Sequence, residues 1–121
     1  FDNIITTLPL IKAGKLRALA VSSKQRSSAD PGISTLDEQG VPGYDATSWF
    51  GLFVPTGTPT AVVSKLNQAA VYAVKTPQVS ATLRGVGAEP VASSATDFQA
   101  FFKAEVEKWA QVVHRANVQV N

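Results

Sequence analysis

The side chains that could do chemistry are few and far apart. The chain has 121 residues, with one histidine, no cysteine, nine acidic and eleven basic side chains. Without cysteine there is no disulfide, no thiolate metal site and no cysteine nucleophile. A Ser-His-Asp relay would need His114 as its base, and no Gly-x-Ser-x-Gly elbow supplies the serine. The acids nearest to His114 on its amino-terminal side, Glu107 and Glu105, stand seven and nine positions back, which misses the i, i+4 spacing of helical zinc sites. Gly85-x-Gly87 and Gly40-x-x-Gly43 make neither a dinucleotide fingerprint nor a P-loop. No catalytic group, metal site or cofactor is therefore expected. His114 reads as a solvated residue near a helix carboxyl end, where a cation is favourable.

Three features suit binding better than catalysis. Phe1-Asp2-Asn3 places two polar residues after a buried-type aromatic, at a strand-to-helix turn. Ligands of α/β proteins bind at the carboxyl ends of strands, so Asp2 and Asn3 either face a cleft or cap the helix that follows. Thr47-Ser48-Trp49-Phe50-Gly51 sets two large aromatics beside small hydroxyls. That mixture suits a pocket wall that stacks on a ligand and offers short hydrogen bonds, with Ser48, Trp49 and Phe50 as candidates. Strand alternation sends Trp49 and Phe50 to opposite faces, so one of them should be core. Thr58-Pro59 and Thr76-Pro77 each start a helix, whose free N–H groups suit a carboxylate, though capping alone also accounts for them.

The elements that would position these residues follow from the punctuation. Thr6 or Thr7 caps a short helix from Leu8 to Ala13 with Pro9 in its first turn, and Gly14 stops it. Leu16 to Val21 reads as a mostly buried strand and Ser22 to Gly32 as a solvated loop. Ser34 and Asp37 resemble a capping box that opens a short helix closed by Gly40. Val41-Pro42-Gly43 is the best boundary, and Tyr44 to Val54 reads as a long strand. A turn over Pro55 to Pro59 leads into a helix with Val62, Val63, Leu66, Ala69, Ala70 and Ala73 on one face. A second helix runs from Thr76-Pro77 to Leu83, and Ala88 to Val91 is a short strand or extended link. The last helix, capped by Ser94 or Thr96, reaches about Arg115. Its stripe of Phe98, Phe102, Val106, Trp109, Val113 and Ala116 must bury against something, and Asn117 to Asn121 reads as an extended tail.

This alternation means an α/β fold. Three strands are fewer than an ordinary sheet, so the sheets should be completed by sequence absent here or by another chain. The start at Phe1, without an initiator Met, fits the same expectation. A 45% hydrophobic content can build a core, and a net charge of +2 with no basic stripe argues against nucleic acid as a partner. No apolar run approaches the ~18 residues that a membrane span needs.

The run Phe1-Asp2-Asn3 and Ile11-Lys12-Ala13-Gly14-Lys15-Leu16-Arg17-Ala18-Leu19-Ala20-Val21 resembles the receptors of tripartite tricarboxylate transporters, the TctC or Bug family. So do Gly43-Tyr44, Ser48-Trp49-Phe50-Gly51-Leu52-Phe53, Pro55 with Gly57-Thr58-Pro59, and Gly87-Ala88-Glu89-Pro90. The pieces stand in order along nearly the whole chain. The resemblance implies a periplasmic, non-enzymatic receptor of the two-lobed periplasmic-binding-protein-like (type II) fold. This chain would be its carboxyl-terminal portion, with incomplete sheets and the amino-terminal half missing. Residues 1–42 would end the second lobe, and residues 43–121 would return to the first through a crossing strand. It further implies a small organic anion as ligand: a di- or tricarboxylate, an amino acid or an aromatic acid. That ligand would be held largely by loop amides and ordered waters, then passed to membrane transporter subunits. Asp2 and Asn3 match the Phe-Asp-Asn position near the cleft, and Ser48-Trp49-Phe50 matches the cleft side of the crossing strand. Three other readings stay open on the residues alone: a ligand-presenting receptor for a sensor kinase, a small α/β enzyme, and a non-binding fragment that self-associates.

Overall fold

The computed structural model describes residues 1–118. The tail expected over Asn117 to Asn121 lies outside the described residues from position 119, and its described part belongs to the turn closing the last helix. Four helices are present among the described residues: α1 (Ile4–Lys12), α2 (Thr60–Lys75), α3 (Pro77–Gly85) and α4 (Ala95–Arg115). The chain forms two compact units, one from Phe1–Val54 with Ala73–Val91, the other from Pro55–Tyr72 with the segment from Ala92 onward.

In the first unit, α1 starts earlier than Thr6 or Thr7. Asn3 is its N-cap, extended at φ −73° and ψ 135°, and its side-chain oxygen accepts from the Ile5 amide at 3.1 Å. The Thr6 and Thr7 hydroxyls instead donate back to the Asn3 carbonyl, at 2.8 and 3.1 Å. Pro9 consequently falls inside the helix rather than in its first turn, where its missing N–H leaves the Ile5 carbonyl without the usual intrahelical donor. The far end closes as a Schellman motif. Gly14, at φ +68°, donates to the Ile11 carbonyl at 2.9 Å, and Lys15 donates to Leu10 at 2.9 Å.

Neither Leu16 to Val21 nor Tyr44 to Val54 becomes a strand; the described residues contain only one isolated parallel bridge, Val21 to Thr35. The reason is that a strand exists only through its neighbour, and these segments meet one another at their ends alone. Val21 donates to the Ser34 carbonyl at 2.9 Å and accepts from the Leu36 amide at 3.0 Å. Ser22, pointing the opposite way, accepts from the Ala46 amide at 2.9 Å and donates its hydroxyl to the Ala46 carbonyl at 2.8 Å. Three segments thus converge on Val21-Ser22 as the stub of a sheet.

The loop from Ser22 to Gly32 forms as read and is pinned twice. Arg26 Nε donates to both Glu38 oxygens, at 3.0 and 2.9 Å, and its Nη1 donates to the Pro31 carbonyl at 3.0 Å. Ser28 donates from its amide, at 3.1 Å, and from its hydroxyl to Glu89, whose carboxylate also lies 3.9 Å from Arg84. The capping box sits one residue later than Ser34 and Asp37. Glu38 donates from its amide to the Thr35 hydroxyl at 3.1 Å, and the Thr35 amide donates to the Glu38 carboxylate at 2.7 Å. It closes a series of turns and not a helix, because Gly40 at φ +96° breaks the segment almost at once. Helix α3 forms as read: Thr76 caps Val79 at 3.4 Å and Pro77 occupies the first turn. It ends in a second Schellman closure at Gly87, whose φ is +89°. Ala88 to Val91 is a link.

In the second unit, Gly57 at φ +87° supplies the left-handed position of the turn before α2, and Thr58 donates its amide and hydroxyl to the Pro55 carbonyl. Thr58 therefore does not cap α2; the Val62 and Val63 amides donate to the Pro59 carbonyl. Asn67 on α2 donates to the Ser93 carbonyl at 3.1 Å, tying α2 to the residue before the Ser94 cap of α4. The Ser94 hydroxyl accepts from the Asp97 amide at 3.1 Å and donates to the Asp97 carboxylate at 2.6 Å. Asn117, at φ +49°, completes a third Schellman closure.

Among the described residues only Leu8 and Thr35 are buried. Phe102, Val106, Trp109 and Val113 on the α4 stripe all remain well over a third exposed. The stripe that should bury finds no full cover within this chain.

Two measurements check this account. An added Cβ on Gly87 would meet Ile4 Cγ2 at 3.2 Å in a left-handed backbone, whereas one on Gly85 would meet nothing within 4 Å. Gly87→Ala should lower unfolding free energy by about 1–3 kcal/mol, and Gly85→Ala should leave it unchanged or raise it by about 0.5 kcal/mol, read by urea denaturation. Glu38 is held below the ordinary glutamate value of 4.5, first by the Arg26 hydrogen bond and then by the Thr35 amide. A depressed carboxylate stabilises the fold above its unfolded value and ceases to as pH falls through the folded one. Acidification below 4.5 should therefore speed hydrogen exchange at Thr35, and Glu38→Gln should remove that pH dependence.

Candidate functional site

The five residues singled out for binding all belong to the first unit, on two separate segments. Asp2 and Asn3 form the start of α1. The Asp2 carboxylate accepts from the Asn3 amide at 2.7 Å and from the Thr6 hydroxyl at 3.4 Å, and the side chain is exposed. Asn3 is half-buried and committed to its cap. The capping alternative is thus realised for Asn3, and the negative charge of Asp2 lies favourably at the positive end of the helix dipole. The Ile5, Thr6 and Thr7 amides are already taken by Asn3. A ligand carboxylate at this end would have to be reached mainly through Asp2-bound water or through loops.

Ser48, Trp49 and Phe50 lie on the segment that follows the Ser22–Ala46 junction, without regular secondary structure. Ser48 is exposed, Trp49 half-buried and Phe50 79% exposed. The expectation that one of the two aromatics is core does not hold within this chain. Alternation still separates them: Trp49 is the more covered, and Phe50 shares its side with Leu52, 83% exposed, and Val54, 41% exposed. Upstream, Thr47 donates to Asp45 at 3.1 Å, which fixes the approach to Ser48.

The two Thr-Pro helix starts differ. Thr76 caps α3, and the Thr58 hydroxyl is used in the preceding turn. His114 is exposed in the last turn of α4, as its position suggested. Among the described residues, no group of three or more His, Cys, Asp or Glu side chains could hold a metal ion, and no helix is long and apolar enough to cross a membrane. The polar cluster of Ser28, Arg84 and Glu89 was not legible beforehand, since its partners lie 61 residues apart. The Thr35 and Glu38 pair did carry a signal, a Thr-x-x-Glu spacing one step from the one chosen.

Comparison with known proteins places this geometry. The family model described as "Tripartite tricarboxylate transporter family receptor" matches residues 2–118. The UPF0065 protein of the clcB-clcD intergenic region of Pseudomonas knackmussii is 35% identical, covering 96% of this chain and 70% of its own length. Protein BugT of Bordetella pertussis is 31% identical over 98% of this chain, which spans only 36% of BugT. Among solved structures, an R. palustris protein with adipate superposes at a TM-score of 0.84 and 37% identity, over 96% of this chain and 39% of that one. The periplasmic binding protein BugD gives 0.81 and 33%, over 93% and 38%. These relatives are binding and receptor proteins, not enzymes, and the fold is that of part of a periplasmic binding protein.

Capping and ligand contact can be separated at Asn3. Asn3→Ala should cost about 1 kcal/mol of stability by loss of the cap, while Asn3→Ser should cost only a few tenths, read as the urea midpoint. Equal losses from both would mean that the cap is not what holds α1.

Proposed function

Because the chain belongs to the tripartite tricarboxylate transporter receptor family, we propose that it is the carboxyl-terminal portion of a periplasmic receptor that captures a small organic carboxylate and delivers it to a membrane transporter. The observation that carries this reading is the superposition, at 37% identity, on a protein solved with adipate. A dicarboxylate is the ligand class it favours, with tricarboxylates, amino acids and aromatic acids as the other members to test.

In this reading Asp2, Asn3, Ser48, Trp49 and Phe50 form one wall of the cleft. Trp49 offers a flat apolar surface for the ligand's carbon chain, and Ser48 offers a short hydroxyl donor to a carboxylate oxygen. Asp2 cannot take a carboxylate directly, since like charges repel; it orders water or a ligand N–H. Residues 1–42 end one lobe and residues 43–121 return to the other, through Val41-Pro42-Gly43. Gly43 suits a hinge: it sits at φ +75° and its amide donates to Asp37 at 2.6 Å. Lobe membership in a complete receptor and compactness within this chain are separate properties, and the two units described above concern only the second.

The test is ligand stabilisation of the full-length receptor. A panel of mono-, di- and tricarboxylates, amino acids and aromatic acids should contain one acid that stabilises the protein by about 2.7 kcal/mol at a hundred times its Kd. Trp49→Ala should weaken that binding by roughly tenfold or more while leaving circular dichroism unchanged. A panel with no stabilising acid would sink the proposal.

A further inference from the structure

We propose that this chain docks non-covalently, as a separate polypeptide, onto the amino-terminal portion of a receptor of its family, through the apolar row Phe50, Leu52 and Val54. The partner's identity rests on the receptor reading; the existence of the surface does not.

Alternation puts these three side chains on one side of an extended segment, and they are 79%, 83% and 41% exposed. Soluble proteins seldom leave contiguous apolar rows of that kind uncovered unless something binds there. Leu19, 72% exposed on the neighbouring segment, adds to the same unit's uncovered apolar surface. The structural relatives indicate the occupant. They hold this chain's fold at TM-scores of 0.81 to 0.87, yet the chain accounts for only 38% to 40% of their length. Most of each relative lies outside the matched region and is available to cover the row.

Docking in trans, without covalent continuity, follows from preorganisation. The segment carrying the row is anchored where Ser22 takes both the amide and the carbonyl of Ala46. The Arg26–Glu38 pair and the Thr35–Glu38 box fix the turns beside that anchor. A surface held this way needs little ordering on binding, which keeps the entropic cost of association low. A chain extending from Phe50 to Val54 also offers main-chain groups for strand addition, with the row supplying side-chain specificity.

The probe is the amino-terminal portion of the R. palustris adipate-bound relative, mixed with the full 121-residue chain. The expected result is a one-to-one complex in sedimentation, with amide exchange over residues 50–54 slowed at least tenfold. Leu52→Asp, at an exposed position, should abolish the complex while leaving the helical circular dichroism of the free chain intact. The proposal is overturned if no complex forms, or if the chain only pairs with itself. A complex indifferent to Leu52→Asp, with exchange over residues 50–54 unchanged, overturns it equally. Adipate added to the complex separates the two readings. Assembly without any acid binding would remove the receptor function and leave the docking surface standing.

Discussion

Ser22 holds the first unit's extended segments together. Its carbonyl and hydroxyl both engage Ala46, while Val21 beside it engages Ser34 and Leu36 on the other side. Adjacent residues of an extended backbone direct their hydrogen-bonding groups to opposite sides, so this dipeptide links two segments that have no other sheet-like register. The loop pinned by Arg26, the turns around Thr35 and the approach to Trp49 all take their positions from that junction. Its side-chain bond matters because the ladder around it is so short: one hydroxyl does what further rungs would do in a complete sheet.

The same constraint explains what could be read in advance. Helices supply their own backbone partners, so local signals sufficed for α3 and α4: Thr76-Pro77 at the start of one, Ser94 at the start of the other, and left-handed closures at Gly87 and Asn117. Where a local signal misled, a stronger one stood nearby. Asn3 outcompeted Thr6 and Thr7 as the cap of α1, and Thr35 outcompeted Ser34. Extended segments have no such self-sufficiency. Leu16 to Val21 and Tyr44 to Val54 have strand composition, but a ladder needs rungs on a neighbour, and sequence composition alone cannot say whether that neighbour is present. Among the candidate site residues, the cap role of Asn3 was legible because it is local. The burial of Trp49 and Phe50 was not, because it depends on what lies opposite.

Long-range polar links carry the tertiary order that apolar burial does not. Glu89 binds Ser28 across 61 positions, and the close approach of Gly87 to Ile4 brings the end of α3 against the start of α1. In the second unit Asn67 reaches Ser93 across 26 positions. These are few, exposed or half-exposed bonds, each worth about 1 kcal/mol at most. A unit held mainly by such contacts, with Leu8 as its one buried hydrophobic residue, opens readily.

The stretch from Ser48 to Val54 is aromatic, aliphatic and uncharged, with no proline inside it. Seven residues of that kind have the composition of segments that stack into cross-β fibrils. Its borders are different: Asp45 carries a negative charge just upstream, and Pro55, which has no N–H to give a ladder, ends it immediately. Charge and proline in those places act as gatekeepers against edge-to-edge association. Before such a chain is fully assembled its most adhesive segment is also its most exposed one. Asp45 and Pro55 then protect the solubility of the newly made polypeptide, a role separate from any contact they make in the finished fold.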